Sequence, residues 1–411
     1  MDISDKELIQ FLILDYLNAS KEIGLENVDK IMFDALQSSI LRYNRYKFIL
    51  CFFDKLALKL FRYKRGPGWR SGKKILFRPF KYSNIILGVK KYHQPGILAH
   101  GNWDRLFAVK NFMGYIATDD LDHYLLAYLK EKNIKYLHEL IREIEKKLKV
   151  ARPDYIVLWN DIVPIERAII LVSKKLGIKT LEIQHGAYDS FNLETGKVAD
   201  YVLVWGKYFK DLHIKQCKRN PEDIYVLGYP YSMSKNKEVE SNNNYSICYL
   251  SQNLEAYDKN FFNIKIETAK KINEVCNRLG MQFIYRPHPG DNRELLKKDL
   301  LGIQFTSIGE GLEETLKKAD IFISFNSTAL SEATMRQKIS LQLVNYPLKS
   351  DNLEKLGACH RSFKTIEELE DYIKKIAGSK NLDRFRIKFN NGYIETRYNP
   401  VGRFLEIIKE I

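Results

Sequence analysis

The sequence is poor in cysteine, with five in 411 residues, and no two of them have CxxC spacing. They are widely scattered and odd in number: Cys51, Cys217, Cys248, Cys276 and Cys359. This pattern predicts neither a disulfide framework nor a zinc site, and a reducing compartment fits it best.

Long apolar runs and several common catalytic motifs are also missing. No stretch approaches the ~20 residues of a membrane-spanning helix, and the N-terminus is acidic where a signal peptide would be basic. We expect a soluble, cytoplasmic protein, with peripheral contact at the inner face of the cytoplasmic membrane left open. The absence of GxxxxGK[ST], GxGxxG, HExxH and GxSxG argues against P-loop kinases, common Rossmann dehydrogenases, zincins and α/β-hydrolases.

The charge is unevenly distributed. Lys and Arg number 66 and Asp and Glu 51, which gives a net charge of +15. Residues 41–91 contain fifteen basic residues and a single acid, Asp54, so this segment carries +14 and the rest about +1. Within it, residues 48–61 have the pattern of an amphipathic helix with a basic polar face. The segment suits nucleic acid, an anionic membrane or an acidic glycan, although no RNP1-like or helix-turn-helix sequence accompanies it.

Hydrophobic periodicity predicts three regions. Residues 1–70 read as a helical N-terminal region that includes the basic amphipathic segment. Short strand patterns then alternate with helical ones, which is typical of a parallel sheet covered on both faces. The polar, Asn-rich stretch 235–244 interrupts this pattern. We therefore expect one Rossmann-like domain over 71–234 and a second over 245–411, whose last helix can pack back on the first.

Two local assignments complete the picture of the first domain. The β-like run Asn-Ile-Ile-Leu at 84–87 is expected to be a strand, and residues 119–150 are expected to form one long, charged helix.

Ligands of parallel α/β sheets bind beyond the carboxyl ends of the strands, so the residues there are site candidates. His185 follows the strand pattern 180–183 and precedes Gly186, which would let a substrate approach the backbone, so His185 is a candidate general base. A buried structural histidine is the competing interpretation. Asp161 follows another strand pattern and is a second candidate base, with a helix N-cap as its alternative role.

Strand ends of the second domain carry a candidate phosphate site. Arg286 and His288 lie in RPHPGD, where two prolines fix the backbone around the histidine. Ser327 and Thr328 open a helix, whose free N–H groups form an anion site. Glu332 lies one turn further, where it can accept hydrogen bonds from sugar or ribose hydroxyls. Each feature alone also fits a plain turn or cap, but their joint occurrence favours a phosphate-binding site.

The order of QHG, ADYVLVWGKYF, VLGYP, YRPHPGD and ISFNSTALSEA along residues 150–345 resembles bacterial GT-B glycosyltransferases of surface and capsular polysaccharide synthesis. The His-Pro and Ser-Thr pairs look like the HP and SS/ST motifs of bacterial sialyltransferases and Kdo transferases. The resemblance implies an α/β, GT-B-like fold and contacts of His288, Ser327 and Thr328 with the phosphate of a CMP-sugar. The acidic base motif of polysialyltransferases is not evident, so the base stays open between His185 and Asp161.

The expected function is inverting, metal-independent transfer of a sugar, such as sialic acid or Kdo, to a hydroxyl of a cell-surface glycan or lipid-linked acceptor. No DxD-like acidic pair follows a strand, and no metal or other cofactor is expected. The His-Gly pair also resembles the base of CDP-glycerol glycerophosphotransferases of teichoic-acid synthesis, so polyol-phosphate transfer is an alternative. A non-catalytic nucleic-acid-binding protein is the alternative from another class, although no nucleic-acid partner is expected.

Overall fold

The computed structural model describes residues 4–22, 32–41, 72–188, 190, 198–231, 245–256, 260–344, 347–379 and 381–411. Most of the basic segment, including the amphipathic pattern 48–61, lies outside the described residues, as does the stretch 235–244.

The first α/β unit contains a seven-stranded, fully parallel sheet. Its strands are β1 (Lys74–Arg78), β2 (Gln94–Ala99), β3 (Gly114–Ala117), β4 (Tyr155–Leu158), β5 (Lys179–Ile183), β6 (Tyr201–Val204) and β7 (Ile224–Val226). They are ordered β3-β2-β1-β4-β5-β6-β7, so the direction of winding reverses between β1 and β4. In doubly wound sheets a crevice opens at such a reversal, beyond the carboxyl ends of the strands.

Helices cover both faces of this sheet. They are α1 (Asp5–Ile9), which runs through a π-helical turn (Gln10–Leu14) into α2 (Asp15–Glu22), α3 (32–41), α4 (Ser83–Val89), α5 (Asn102–Lys110), α6 (Leu121–Glu131), α7 (Lys135–Ala151), α8 (Pro164–Lys175) and α9 (Lys207–Lys215), with 3-10 turns at Phe80–Tyr82 and Pro221–Asp223. The apolar faces of α1 to α3 share one core with α6, α7 and α8. The described part of the N-terminal region is therefore built onto the first sheet.

The second unit repeats the same winding with six parallel strands. These are β8 (Ser246–Leu250), β9 (Gln282–Arg286), β10 (Gln304–Phe305), β11 (Ile321–Ser324), β12 (Ile339–Leu343) and β13 (Arg361–Phe363), ordered β10-β9-β8-β11-β12-β13. Its helices are α10 (Phe261–Arg278), α11 (Arg293–Asp299), α12 (Leu312–Leu316), α13 (Thr328–Met335) and α14 (Ile366–Ala377), with 3-10 turns at Leu254–Ala256 and Asp383–Phe385.

The last helix, α15 (Pro400–Glu410), returns to the first sheet. Phe404, Ile407 and Ile408 are fully buried in the core that covers β1. At Gly88 in α4, an added Cβ would stand 2.2 Å from the Val401 side chain, so only glycine allows this close approach of the two helices. The C-terminus thus ties the second unit to the first.

Two local assignments were wrong. The run 84–87 belongs to helix α4, because Ile85, Ile86 and Val89 bury one helical face. The expected long helix over 119–150 is two helices, α6 and α7. The chain turns at Lys132, whose left-handed conformation (φ 53°) ends α6 with an N–H bond to the Tyr128 carbonyl oxygen. None of the helices within the described residues is long and apolar enough to cross a membrane.

Candidate functional site

The loop that follows β5 brings His185 to the edge of the first sheet. Buried Gln184 fixes the turn, because it accepts from the Trp205 backbone N–H and donates to the Gly186 carbonyl oxygen, both at 2.8 Å. His185 is half-buried, and its ring centre lies 5.2 Å from that of Trp159, edge to face. The imidazole is therefore held in a defined place at a strand end, as a general base must be.

Lys81, in the 3-10 turn after β1, joins this group. Its Nζ donates to the His185 carbonyl oxygen at 3.4 Å and lies 5.3 Å from the centre of the Trp159 ring. Desolvation lowers the pKa of Lys81, and the negative charge of Glu332 on the second unit opposes this shift. A cation thus stands where the two units meet.

Asp161 has a different environment. Its side chain is fully buried, and its Oδ2 accepts from the backbone N–H groups of Val198 and Ala199 at 2.6 and 2.9 Å. These bonds tie the loop after β4 to the chain entering β6. The carboxylate is placed as a structural anchor, and it does not cap α8, whose N-cap is Val163.

On the second unit, the RPHPGD loop after β9 presents His288. Asp291 accepts from the His288 backbone N–H at 2.8 Å, and His288 Nδ1 accepts from the Gly290 N–H at 3.0 Å. Because Nδ1 is an acceptor, the neutral ring carries its proton on Nε2, which can donate to a ligand. Desolvation lowers the pKa of His288 and Asp291 opposes the shift, so the neutral ring is favoured near pH 7.

A buried network of charges supports this loop from behind. Lys265 on α10 and Asp291 form an ion pair of 3.0 Å, and both side chains are completely buried. Lys265 also donates to Glu255 at 2.7 Å, and Asp291 accepts from the Ser251 hydroxyl, just after β8, at 3.0 Å. Since buried charges are tolerated only when paired and hydrogen-bonded, the network fixes the ends of β8 and β9 relative to each other.

Arg286 is engaged with the loop that leads to α12. Its Nη1 donates to the Glu310 carbonyl oxygen at 3.1 Å and to the Thr315 hydroxyl at 2.5 Å. The guanidinium therefore anchors the end of β9, and a role toward a donor phosphate stays a prediction.

The N-terminus of α13 faces the loop of His185. Ser327 is the N-cap, and its hydroxyl accepts from the Ala329 N–H at 3.3 Å. Thr328 reaches across to the first unit, where its hydroxyl accepts from the Ala187 N–H at 3.0 Å. A Cβ on Gly186 would lie only 3.4 Å from the same oxygen. The Ser-Thr and QHG motifs, 141 residues apart between Ala187 and Thr328, are thus in direct contact.

Glu332 lies one turn into α13 and is directed at the first unit. It accepts a hydrogen bond from the Tyr229 hydroxyl, and Arg336 and Lys81 supply positive charge nearby. Burial raises the pKa of Glu332, and these three groups oppose the shift. Burial also raises the pKa of Tyr229, with Glu332 adding to the effect.

The structure therefore brings His185, Thr328 and Glu332 to one place between the two sheets. His288 lies on the same sheet edge as Thr328, separated by β8, which puts the ends of their strands roughly 10 Å apart. Lys81 and Lys265 were not identified as site candidates from the sequence. Lys81 carries a weak signal, since it closely follows a strand, whereas Lys265 sits within a helix.

The fold has relatives among solved structures, although no protein-family model and no curated protein matches the sequence. UDP-GlcNAc 2-epimerase from Methanocaldococcus jannaschii, in complex with UDP-GlcNAc and UDP, is 16% identical with a TM-score of 0.52, over 82% of this chain and 99% of that one. The lipopolysaccharide outer core galactosyltransferase WaaB, in its apo form, is 13% identical with a TM-score of 0.50, over 82% and 100%. The glycosyltransferase SnogD from Streptomyces nogalater is 12% identical with a TM-score of 0.52, over 83% and 100%.

These likenesses and the two facing Rossmann-like sheets give the chain the GT-B fold, as predicted from the sequence. The fold is shared by glycosyltransferases and by nucleotide-sugar epimerases, so it does not by itself choose a reaction.

Proposed function

We propose that this protein is a glycosyltransferase that moves a sugar from a nucleotide-activated donor to a hydroxyl of a cell-surface glycan or a lipid-linked acceptor. The observation that carries the proposal is the contact between Thr328 and Ala187. This contact supports the proposal because the start of α13, whose free N–H groups suit an anion, meets the loop two residues from His185, the candidate base on the opposite unit.

The donor would bind to the second unit. Its phosphate would contact the Ser327–Thr328 start of α13 and the Nε2–H of His288, with Arg286 behind the loop. Glu332 would accept from hydroxyls of the ribose or the sugar. Positive electrostatic potential at a helix N-terminus stabilises the charge that develops on the departing phosphate.

His185 would act on the acceptor. The acceptor oxygen attacks the anomeric carbon as His185 takes its proton, and the bond from that carbon to the donor phosphate breaks with its electron pair on phosphate. Attack opposite the leaving group inverts the anomeric centre, and no metal is needed in this step. We favour His185 over Asp161, because the Asp161 carboxylate is fully buried and already binds two backbone N–H groups.

We propose a CMP-sugar, such as activated sialic acid or Kdo, as the donor, because RPHPGD and NST resemble the HP and ST motifs of bacterial sialyltransferases and Kdo transferases. UDP is the nucleotide bound in the M. jannaschii epimerase structure, and a CDP-polyol remains the phosphotransferase alternative. A capsule or lipopolysaccharide acceptor agrees with the same resemblance.

A nucleotide panel followed by a transfer assay tests the proposal. CMP, CDP, UDP and GDP are compared by thermal shift, and donors of the preferred nucleotide are then assayed for nucleotide release that requires an acceptor. The His185→Ala variant should lose roughly 10²–10⁴-fold in turnover with unchanged nucleotide affinity, because only the proton transfer is removed. His288→Ala should instead weaken nucleotide binding.

His138→Ala is the matched control, since this histidine is exposed on α7 and pairs with Asp5 at 2.7 Å. It should leave turnover and affinity unchanged. Equal loss of nucleotide affinity in His185→Ala would contradict the assignment of the base. If the protein epimerised a UDP-sugar in the absence of an acceptor, the proposed sugar transfer would be wrong. If the product contained phosphorus, the polyol-phosphate alternative would be favoured.

A further inference from the structure

Exposed apolar side chains are concentrated on one face of the first unit. Twelve large hydrophobic residues are exposed within the described part of the chain, and six of them fall between residues 87 and 112. Four of the six follow a three-residue spacing along α5 and its end: Trp103, Leu106, Val109 and Phe112, exposed by 74, 54, 56 and 80%. Residues three apart are neighbours on a helix surface, so Trp103, Leu106 and Val109 form a stripe along α5. Phe112 continues it just past the end of the helix, and these four residues are here called the α5 stripe.

The end of α5 shows that this exposure is not required by the fold. Phe112 has a left-handed backbone (φ 51°), and Met113 N–H bonds to the Ala108 carbonyl oxygen at 2.9 Å. This is a helix-terminating Schellman motif, in which the left-handed position is ordinarily glycine. A phenylalanine there adds strain that glycine would not, and its side chain is 80% exposed.

The exposed charged residues in the segment 83–117 all have one sign. Lys90, Lys91 and Lys110 are exposed, and Lys90 Nζ donates to the Asn111 carbonyl oxygen at 2.6 Å, which brings the ends of α4 and α5 together. Leu87 and Tyr92 extend the apolar surface at the end of α4. The only acid in residues 83–117 is Asp104, which is buried and accepts from the His100 backbone N–H.

We infer that the α5 stripe docks the protein on an anionic lipid bilayer. Tryptophan and phenylalanine at the level of the headgroups, flanked by lysines, are the composition that such an interface selects. The absence of exposed carboxylates from this segment complements a negative surface. The stripe runs the length of α5, from the carboxyl end of β2 to the turn before β3, so docking would lay this helix along the membrane. None of the residues of this surface belongs to the basic pattern 48–61, and the inference does not depend on the proposed reaction.

The test is vesicle flotation of the full chain with vesicles of phosphatidylglycerol and phosphatidylcholine at roughly 1:3. A Trp103→Ser/Leu106→Ser variant should bind at least about tenfold more weakly, because it removes most of the apolar insertion. Phe112→Gly should also bind more weakly while keeping or raising thermal stability, since glycine suits the left-handed position. Replacing Lys90, Lys91 and Lys110 by Gln should cost about fivefold per lysine on these vesicles and nothing on pure phosphatidylcholine.

Leu301→Ser/Ile308→Ser is the matched control, because these side chains are exposed by 83 and 81% on the second unit. It should float like the wild type. Brominated lipids should quench tryptophan emission in the wild type and lose this effect in Trp103→Phe. The inference is overturned if the α5 variants float unchanged. It is also overturned if the wild type sediments as a dimer that the α5 variants abolish, since the stripe would then cover a second copy.

Discussion

The two sheets of this molecule have the same winding but use buried charge differently at their carboxyl edges. In the first unit, Arg78 at the end of β1 pairs with Glu166 on α8 at 2.6 Å, and both are nearly fully buried. In the second unit, Lys265 pairs with Asp291. Arg78 and Glu166 connect a strand to a helix, whereas Asp291 belongs to the loop that carries His288 and accepts from its backbone N–H.

The two ion pairs therefore differ in role: one stabilises the fold only, and the other also supports a candidate binding loop. On the first sheet the Arg78–Glu166 ion pair is beside β1, and the candidate base follows β5, two strands away. On the second sheet Asp291, the acid of the ion pair, shares one six-residue loop with His288, the candidate phosphate ligand. Loss of charge should therefore affect stability in both units, but ligand binding in only one.

The largest expected effect is that of Lys265→Met. It leaves Asp291 and Glu255 without their buried cation, which should lower the free energy of unfolding by about 3–5 kcal/mol. The His288 loop loses its support as well, so nucleotide affinity should fall. Urea denaturation and nucleotide titration measure the two effects, and Lys297→Met, which breaks an exposed pair of 3.5 Å, is the control.

The counterpart in the first unit is Arg78→Met. It should also cost about 3–5 kcal/mol, because Glu166 is left buried and unpaired. The nucleotide affinity of the folded fraction should stay that of the wild type. If Arg78→Met weakened nucleotide binding as much as Lys265→Met does, the proposed division between the two sheets would be wrong.

A pH effect of intermediate size should come from the first unit. Burial raises the pKa of Asp122 to about 6, while the Ser39 hydroxyl, which donates to it at 2.6 Å, and Arg78 oppose the shift. Unfolded aspartate titrates near pH ~3.9, so between about pH 4 and 6 the folded state binds more protons than the unfolded state. Stability is then lost as pH rises through this window, by roughly 3 kcal/mol at 1.36 kcal/mol per pKa unit.

Asp122→Asn removes this titration. The difference in unfolding free energy, wild type minus variant, should fall from pH 4 to about pH 7 and then level off. Asp119 and Glu166 also face this carboxyl, and His100 lies 3.6 Å from it. Repeating the measurement with His100→Gln in both proteins separates the imidazole from the carboxyl. A difference that is constant with pH would show that Asp122 titrates normally.

Much of the fold could be predicted from sequence because it depends on local patterns. Strands such as β9 and β11 are apolar runs bounded by proline, asparagine or serine, and these boundaries survive in any packing. The prediction of a strand over 84–87 failed for the opposite reason, since a short run with three apolar residues fits a strand and a helix equally well. The break at Lys132 could not be foreseen, because a lysine in a left-handed conformation carries no sequence signal.

Candidate residues could be chosen from the sequence where one residue type at one strand end suffices. Their roles stay predictions, but His185, His288 and Thr328 were found in this way. Lys265 was not, because it lies on α10, 26 residues before Asp291, and nothing in its neighbourhood distinguishes it from a surface lysine. Asp161 and Arg286 follow strands as well, yet the structure places both against backbone groups, which a sequence pattern does not reveal.

The smallest predicted effect tests whether the two units are coupled through Thr328. Its hydroxyl already accepts a hydrogen bond from the Ala187 N–H. The same hydroxyl donates only a long hydrogen bond, of 3.5 Å, to the Ala187 carbonyl oxygen. A hydroxyl can accept and donate at once, so the same group could hold the first unit while donating to a donor phosphate. Thr328→Val keeps the shape and removes both bonds, which should weaken nucleotide binding by about tenfold, or ~1.4 kcal/mol.

Thr328→Ser is the matched variant, because it keeps the hydroxyl and should bind nucleotide like the wild type. If serine were as weak as valine, the methyl group and not the hydroxyl would matter at this position. If valine bound as well as threonine, the contact with Ala187 would be only a bridge between the two units. The His288 loop would then be the only part of the second sheet still expected to contribute to nucleotide binding.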